Sequence, residues 1–347
     1  MQETTGKLQQ PPLPSTPSPF APVSSKIPGI LLCLVVAVAA YLLGSMWKII
    51  GGAVIAIICG IVINNIFQLK SSLRPGIKFC SKYILQFSIV VLGASFSLKE
   101  VFKTGRESLT VMLITLATAL LAAWIIGKVM KVHPRLASLV GVGTGICGGS
   151  AIAAVAPIIQ ADDDEIAFSI STVFLFNVIA VLIFPPLGHI LGLGNQGFGI
   201  WAGTAINDTS SVVAAGYTFS HLAGQYATIT KLARTTMIIP ISLAFAVAVS
   251  RKQQGAQYSV WRVMPWFVLF FLLASILNTA GAFGHALPPM FGECGRFLII
   301  VALAGVGLGT NFRNFIKTGP RPIILGFLVW AVVALTSLGV QTLMHQW

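Results

Sequence analysis

The chain has 347 residues, of which 56% are hydrophobic and 9% charged, against roughly 25% charged in an ordinary soluble domain. Its mean hydropathy is +0.88. The 22 Lys and Arg and 9 Asp and Glu cannot cover the surface of a soluble protein this long. That excludes a cytoplasmic globular enzyme and any domain count based on length. The net charge of +13 comes without basic runs interleaved with aromatics, so no nucleic-acid partner is expected. The excess belongs instead to loops beside anionic lipid.

In chain order, residues 1–27 carry Pro11, Pro12, Pro14, Pro17, Pro19 and Pro22 with Ser and Thr between them. Such a stretch cannot bury enough apolar surface to order itself, and it is too long and too rich in proline for a cleaved signal. The expectation is a disordered cytoplasmic tail ahead of a transmembrane domain over 28–347. Crossing a bilayer takes about 20 apolar residues in a helix. Eleven segments qualify: 28–46, 48–67, 77–98, 108–129, 135–158, 165–187, 197–219, 227–250, 263–283, 291–312 and 321–345. They are continuously apolar rather than alternating, which excludes a β-barrel. The expected fold is therefore all-α, a polytopic membrane protein in the lipid bilayer with about eleven transmembrane helices.

With the N-terminus inside, 14 of the 22 basic residues fall inside, 5 outside and 3 (Lys82, Lys231, Arg234) within spans. This is the asymmetry that retained basic loops produce. The same count places the acidic run Asp162-Asp163-Asp164-Glu165 and the C-terminus outside. Five dispersed cysteines without a CxxC argue against a disulfide framework and against a metal site.

Two internal likenesses stand out. Residues 91–105 (VLGASFSLKEVFKTG) resemble 305–319 (GVGLGTNFRNFIKTG) at a spacing of 214, with Gly93 matching Gly307. The orientation count puts the first loop outside and the second inside, an inverted repeat of the kind that builds many secondary transporters. Residues 143–154 (GTGICGGSAIAA) resemble 203–214 (GTAINDTSSVVA), with Gly143, Thr144, Ile146 and Ser150 recurring as Gly203, Thr204, Ile206 and Ser210. The count makes these two spans parallel, which a dyad through both forbids. Either one of them is re-entrant, or the count between them is off by one.

Helices broken inside a membrane expose backbone groups and survive only where they line a cavity, so they mark binding sites. Gly141, Gly143, Gly145, Gly148 and Gly149 make the fifth span the most breakable helix in the chain. Ser150 then begins an apolar run as an N-cap would, and a fresh helix start favours an anion. Thr144 and Cys147 fall in the same motif. The look-alike carries Asn207-Asp208-Thr209-Ser210-Ser211. Asp208 is the only acid placed deep within a span, where an ionisable group is functional by default. It could carry H+ or Na+, or pair with Lys231 or Arg234, which lie three apart on one helix face. Asn177 and His189 are weaker candidates, a cross-helix hydrogen bond and an interfacial residue.

The strings GTGICGGSAIAAVAP (143–157), NDTSSVVAAG (207–216), KLART (231–235), PWF (265–267) and GLGTNF (307–312) resemble the YeiH-type sulfate-exporter family of bacterial inner-membrane proteins. The resemblance covers residues 28 to 345. It implies an inverted-repeat transporter, distantly like the sodium/proton antiporter and bile-acid symporter folds, with broken helices crossing at a central site. By analogy it also implies a homodimer. The family often carries a His where this chain has Asn207, so one titratable group is missing here.

The expectation is thus a secondary transporter exporting a small anion, sulfate first, from the bacterial cytoplasm. Thr144, Cys147, Gly148, Gly149, Ser150, Asn207, Thr209, Ser210, Lys231 and Arg234 would hold the substrate, and Asp208 the coupling ion. No cofactor is expected, and no GxxxxGK[ST] points to ATP. An intramembrane hydrolase would need HExxH, GxSxG with a His in reach, or two aspartates within the spans, none of which is present. A Na+/H+-type cation antiporter working through Asp208 is the rival reading.

Overall fold

A computed structural model describes residues 23–46, 51–250, 264–311 and 319–347. Residues 1–22 of the tail expected over 1–27, and Phe312 to Thr318 of the 214-residue repeat, lie outside those residues. Backbone polar groups in hydrocarbon must be bonded within the chain, and every apolar segment accordingly folds as helix, with no strand among the described residues. The helices are α1 (Val23–Met46), α2 (Gly51–Phe67), α3 (Arg74–Phe79), α4 (Leu85–Gly93), α5 (Leu98–Val129) and α6 (Pro134–Gly145). They continue as α7 (Gly149–Val155), α8 (Asp163–Ile190), α9 (Asn195–Ala205), α10 (Thr209–Phe219), α11 (His221–Thr236) and α12 (Ile238–Ser250). The series ends with Trp266–Thr279 (α13), Leu287–Gly309 (α14) and Pro320–Leu343 (α15). A π-helical turn, Cys80–Ile84, joins α3 to α4 within one span, Ser71–Gly93. Helix α1 starts five residues ahead of the boundary expected at 28.

Seven of these units are long and apolar enough to cross a membrane, and α2 and α13 are shorter apolar helices. The other two expected segments are helix pairs, α6–α7 and α9–α10. The chain paths show that both pairs turn back. His133, just before α6, pairs with Glu165 in the first turn of α8, so the chain enters and leaves α6–α7 at one end of the bundle, called here the lower end. At the other end of α8, Ser220 Oγ donates to Asn195 Oδ1 at 2.6 Å, and Phe219 stacks on Phe198 with ring centroids 4.0 Å apart. The start of α9 and the end of α10 therefore meet at the upper end. Between the two mouths runs α8, 28 residues and about 42 Å long at 1.5 Å per residue. Two re-entrant hairpins thus enter from opposite ends. Among the described residues, seven long units, the shorter α2 and α13, and the two hairpins together correspond to the eleven expected segments.

This resolves the parity conflict: the two motif-bearing segments are antiparallel. It also moves one expectation. Asp162 to Glu165 lie at the lower end with Lys131 and His133, not opposite them, because α6–α7 folds back. There the acids serve the helix: Asp162 N donates to Glu165 Oε2 at 2.9 Å, and three acidic residues in the first turn of α8 face the positive end of its dipole.

The 214-residue repeat extends further than its motif. The starts of α2 and α13 are 215 residues apart, those of α3 and α14 are 213, and the ends of α5 and α15 are 214. The members of each pair run oppositely. Helix α13 ends at the upper end, where Thr279 Oγ1 accepts from Leu98 N at 2.8 Å. By contrast α2 ends at the lower end, where Asn64 Nδ2 donates to Thr310 O at 2.8 Å. The matched glycines do matching work. A Cβ on Gly93 would strike the backbone of Phe271 in α13, and one on Gly307 the backbone of Ile57 in α2. Each lets a short helix lie against its partner at backbone distance.

Single cysteines test this topology in a Cys294→Ser background. Ala161→Cys should react with an impermeant maleimide from the same side as Lys131→Cys, and Gly192→Cys from the other. Eleven full crossings would place Ala161 opposite Lys131.

Candidate functional site

The two hairpin tips meet inside the bundle. Helix α6 stops at Gly145; Ile146 leaves the helical region, and Gly148 turns the chain with φ +67°, a conformation open to glycine. Helix α9 stops at Ala205, and Ile206 and Asp208 are extended. A Cβ on Gly148 would lie 3.7 Å from Asp208 Cβ, so the tips are in van der Waals contact.

Each interrupted helix leaves its last carbonyls without partners and ends in a partial negative charge. Both deficits are met from α11. Lys231 Nζ donates to Ile146 O at 2.8 Å and to Ile206 O at 2.9 Å. Arg234 donates through one terminal nitrogen to Thr144 O at 3.0 Å and through the other to Thr204 O. These four carbonyls belong to the matched positions of the sixty-residue repeat. Lys231 takes the isoleucine pair and Arg234 the threonine pair, one carbonyl from each tip. Burying two cations would cost several kcal/mol each if they were left unpaired. Here four carbonyls and two helix C-termini offset that cost.

The opposite polarity gathers beside them. Asn177 Oδ1, from α8, accepts from Asn207 N at 2.9 Å and Asp208 N at 3.1 Å, holding the α9–α10 break open. Asp208 is the N-cap of α10, its carboxylate accepting from Ser210 N at 2.9 Å and from Ser210 Oγ. Among the described residues no ion pair joins Asp208 to Lys231 or Arg234. Three buried groups nearby lack a hydrogen-bond partner: both polar atoms of the Asn207 amide, Thr230 Oγ1 and Arg234 Nε.

Two cavities reach the tips. The larger, about 470 Å³, is lined by Lys78, Ser81, Lys82, Gly149, Ser150, Asn177 and Asp208, with Ile170, Val173 and Phe174 as its apolar wall. The smaller, about 220 Å³, includes Gln86, Cys147, Ser150, Thr209 and Thr235. Ser150 belongs to both. Lys78 also lines the larger cavity and Met264 the smaller.

The expected residues are thus distributed in a definite way. Gly148, Gly149, Ser150, Cys147, Thr209 and Asp208 face the cavities or the contact between tips. Thr144 contributes its carbonyl, and Ser210 is occupied by Asp208. Asn207 is buried with its amide unpartnered. Lys231 and Arg234 sit at the tips but are 0% exposed, and the Lys231 ammonium and the two terminal nitrogens of Arg234 donate to carbonyls. His189 stacks on Phe219 at the upper end, centroids 4.1 Å apart, away from the site. Lys78, Ser81 and Lys82 were not among the candidates. Their signal was Lys78, Lys82 and Gln86 at i, i+4 and i+8, a polar stripe in an apolar span.

Comparison with known proteins fits this architecture. Residues 28–326, which contain both hairpins and α11, match the family described as Conserved hypothetical protein 698. The chain belongs to that family. It is the YeiH-type membrane family to which the motifs pointed. A UPF0324 membrane protein of Streptococcus agalactiae serotype V is 42% identical over 331 residues, covering 93% of this chain and 98% of the relative. One from Streptococcus pyogenes serotype M3 is 43% identical over 338 residues, with the same two coverages. One from Fusobacterium nucleatum is 40% identical over 343 residues, 93% of this chain and 99% of the relative. The chain is a multi-pass membrane protein.

Replacing Asn177 by Leu should lower stability by about 1–3 kcal/mol, because two buried N–H groups lose their acceptor. Asn177→Asp keeps an acceptor and should lose less. Detergent-solubilised unfolding midpoints would show equal losses if the bonds to the break carried no weight.

Proposed function

We propose that the protein is a secondary transporter that moves a small anion, sulfate or a related sulfur oxyanion or sulfonate, across the bacterial inner membrane, with its lower end and N-terminus cytoplasmic. The observation that supports this reading is the cavity at the hairpin tips. It is lined by two basic residues, Lys78 and Lys82, together with Ser81 and Ser150, residue types suited to an oxyanion. Broken helices at mid-membrane are where secondary transporters place substrate. The inside-negative potential favours outward movement of an anion by about 2.3 kcal/mol per charge per 100 mV.

In this reading the lysines attract the anion from the cytoplasmic side and the two hydroxyls orient it. Asp208, on the same wall, carries the coupling proton. No bond is made or broken, so we assign no enzymatic activity. The presence of Asp208 in the cavity also favours a second reading, cation antiport, in which the carboxylate itself binds the transported ion.

Sulfate exchange in proteoliposomes separates the two. Wild type should exchange labelled sulfate. Lys82→Gln should slow exchange about tenfold or more, the equivalent of ~1.4 kcal/mol, and Asp208→Asn should exchange without acceleration by a pH gradient. Absence of wild-type exchange with sulfate, sulfite, thiosulfate and taurine would overturn the anion reading. Proton or Na+ flux without any anion would establish antiport.

A further inference from the structure

Secondary transporters with broken helices commonly hold their coupling cation on unwound carbonyls and half-helix C-terminal ends. This chain builds such a place twice over, at Thr144 and Ile146 in one tip and at Thr204 and Ile206 in the other, and brings all four carbonyls to one spot. We infer that the spot is a cation seat that the chain fills with its own Lys231 ammonium and Arg234 guanidinium, so that no free Na+ binds there and transport runs without a Na+ gradient. The last clause rests on the transport reading above; the seat itself does not.

Three observations carry the inference. The ammonium nitrogen stands between two carbonyl oxygens at 2.8 and 2.9 Å, one from each tip, where a shared free cation would have to stand. Lys231 and Arg234 are both 0% exposed, so the seat is closed to solvent ions while they occupy it. Among the described residues no group of three or more His, Cys, Asp or Glu could hold a metal ion, and the Asp208 carboxylate at the tips accepts from Ser210 N. Because the cations are tethered to α11, they also tie both hairpins to that helix. A diffusible ion would leave, whereas these stay and keep the two tips in register through a transport cycle.

Emptying the seat should create a requirement for an added cation. Purified full-length protein in lipid nanodiscs would be compared with Lys231→Ala and Lys231→Arg by thermal unfolding in choline, sodium and ethylammonium chloride at equal ionic strength. Wild type and Lys231→Arg should unfold at the same temperature in all three salts. Lys231→Ala should unfold several degrees lower in choline, and ethylammonium, which fits the vacated space and charge, should raise it again in a saturable way. A saturable Na+ stabilisation that persists in Asp208→Asn, where Lys231 is intact, would overturn the inference, as would a Lys231→Ala midpoint indifferent to ethylammonium. If the alanine variant does not fold, Asp208→Asn decides: a saturable Na+ shift there overturns the seat, and its absence supports it. No substrate enters these measurements, so failure of the anion-flux assay would overturn the transport reading and leave the seat standing.

Discussion

Two cations from one helix face hold four backbone carbonyls from two hairpins, and the centre of the molecule depends on that arrangement. An interrupted helix in a low-dielectric interior has two unsolved problems, its unpaired carbonyls and the negative end of its dipole. Lys231 and Arg234 answer both problems for α6 and α9 at once, because residues three apart on α11 share a face and the two tips present equivalent carbonyls to it. The cost of burying the charges and the cost of breaking the helices offset each other. Neither feature would be stable without the other, which is why a Lys and an Arg 0% exposed sit where the helices end.

The two tips are alike in their carbonyls and unlike in the residues C-terminal to them. After the shared G-T-x-I, one continues Cys147-Gly148-Gly149-Ser150 and the other Asn207-Asp208-Thr209-Ser210. In the second tip a carboxylate caps α10 and occupies Ser210. In the first, glycine stands in the position of the aspartate, no side chain caps α7, and Ser150 stays exposed to the cavities. The repeat thus supplies a symmetric frame, and the differences supply the chemistry: one polar wall carrying an acid, one open wall, and lysines from the Ser71–Gly93 span facing both. Alternating access would require the hairpins to rearrange about the cation bridge.

Much of this was legible in the sequence, and the remainder was hidden for physical reasons. Among the described residues each of the eleven apolar segments has a helical counterpart, and the breaks fall in the glycine run and at the start of the Asn207–Ser211 run that marked them. Re-entry was legible only as one of two ways out of the parity conflict between the motifs. Each hairpin contains enough apolar residues to span a bilayer if straight, and folding back two segments leaves the described loop Lys and Arg on their expected sides. The only displaced charges were Asp162 to Glu165, and acids carry little topological information. The partners of Lys231 and Arg234 were hidden for another reason. Side-chain reasoning looks for a carboxylate or a ligand, whereas the partners here are carbonyls, which every residue has. Lys78 and Lys82 were visible as basic residues, but their common face becomes informative only once a cavity is known to lie beside it.

The cation bridge, the cavity and the proposed transport site all rest on the apposition of the two tips. That apposition is tested most directly by cross-linking Gly148→Cys to Asp208→Cys in native membranes under copper phenanthroline, with mass spectrometry of the joined peptides. The Cβ separation of 3.7 Å is close to the mean for disulfides, about 3.8 Å. A cross-link is predicted for this pair, and none for Asp208→Cys with Ala161→Cys. If the first pair fails to link while both cysteines react with a membrane-permeant maleimide, the two tips do not meet and the bridge between them is contradicted.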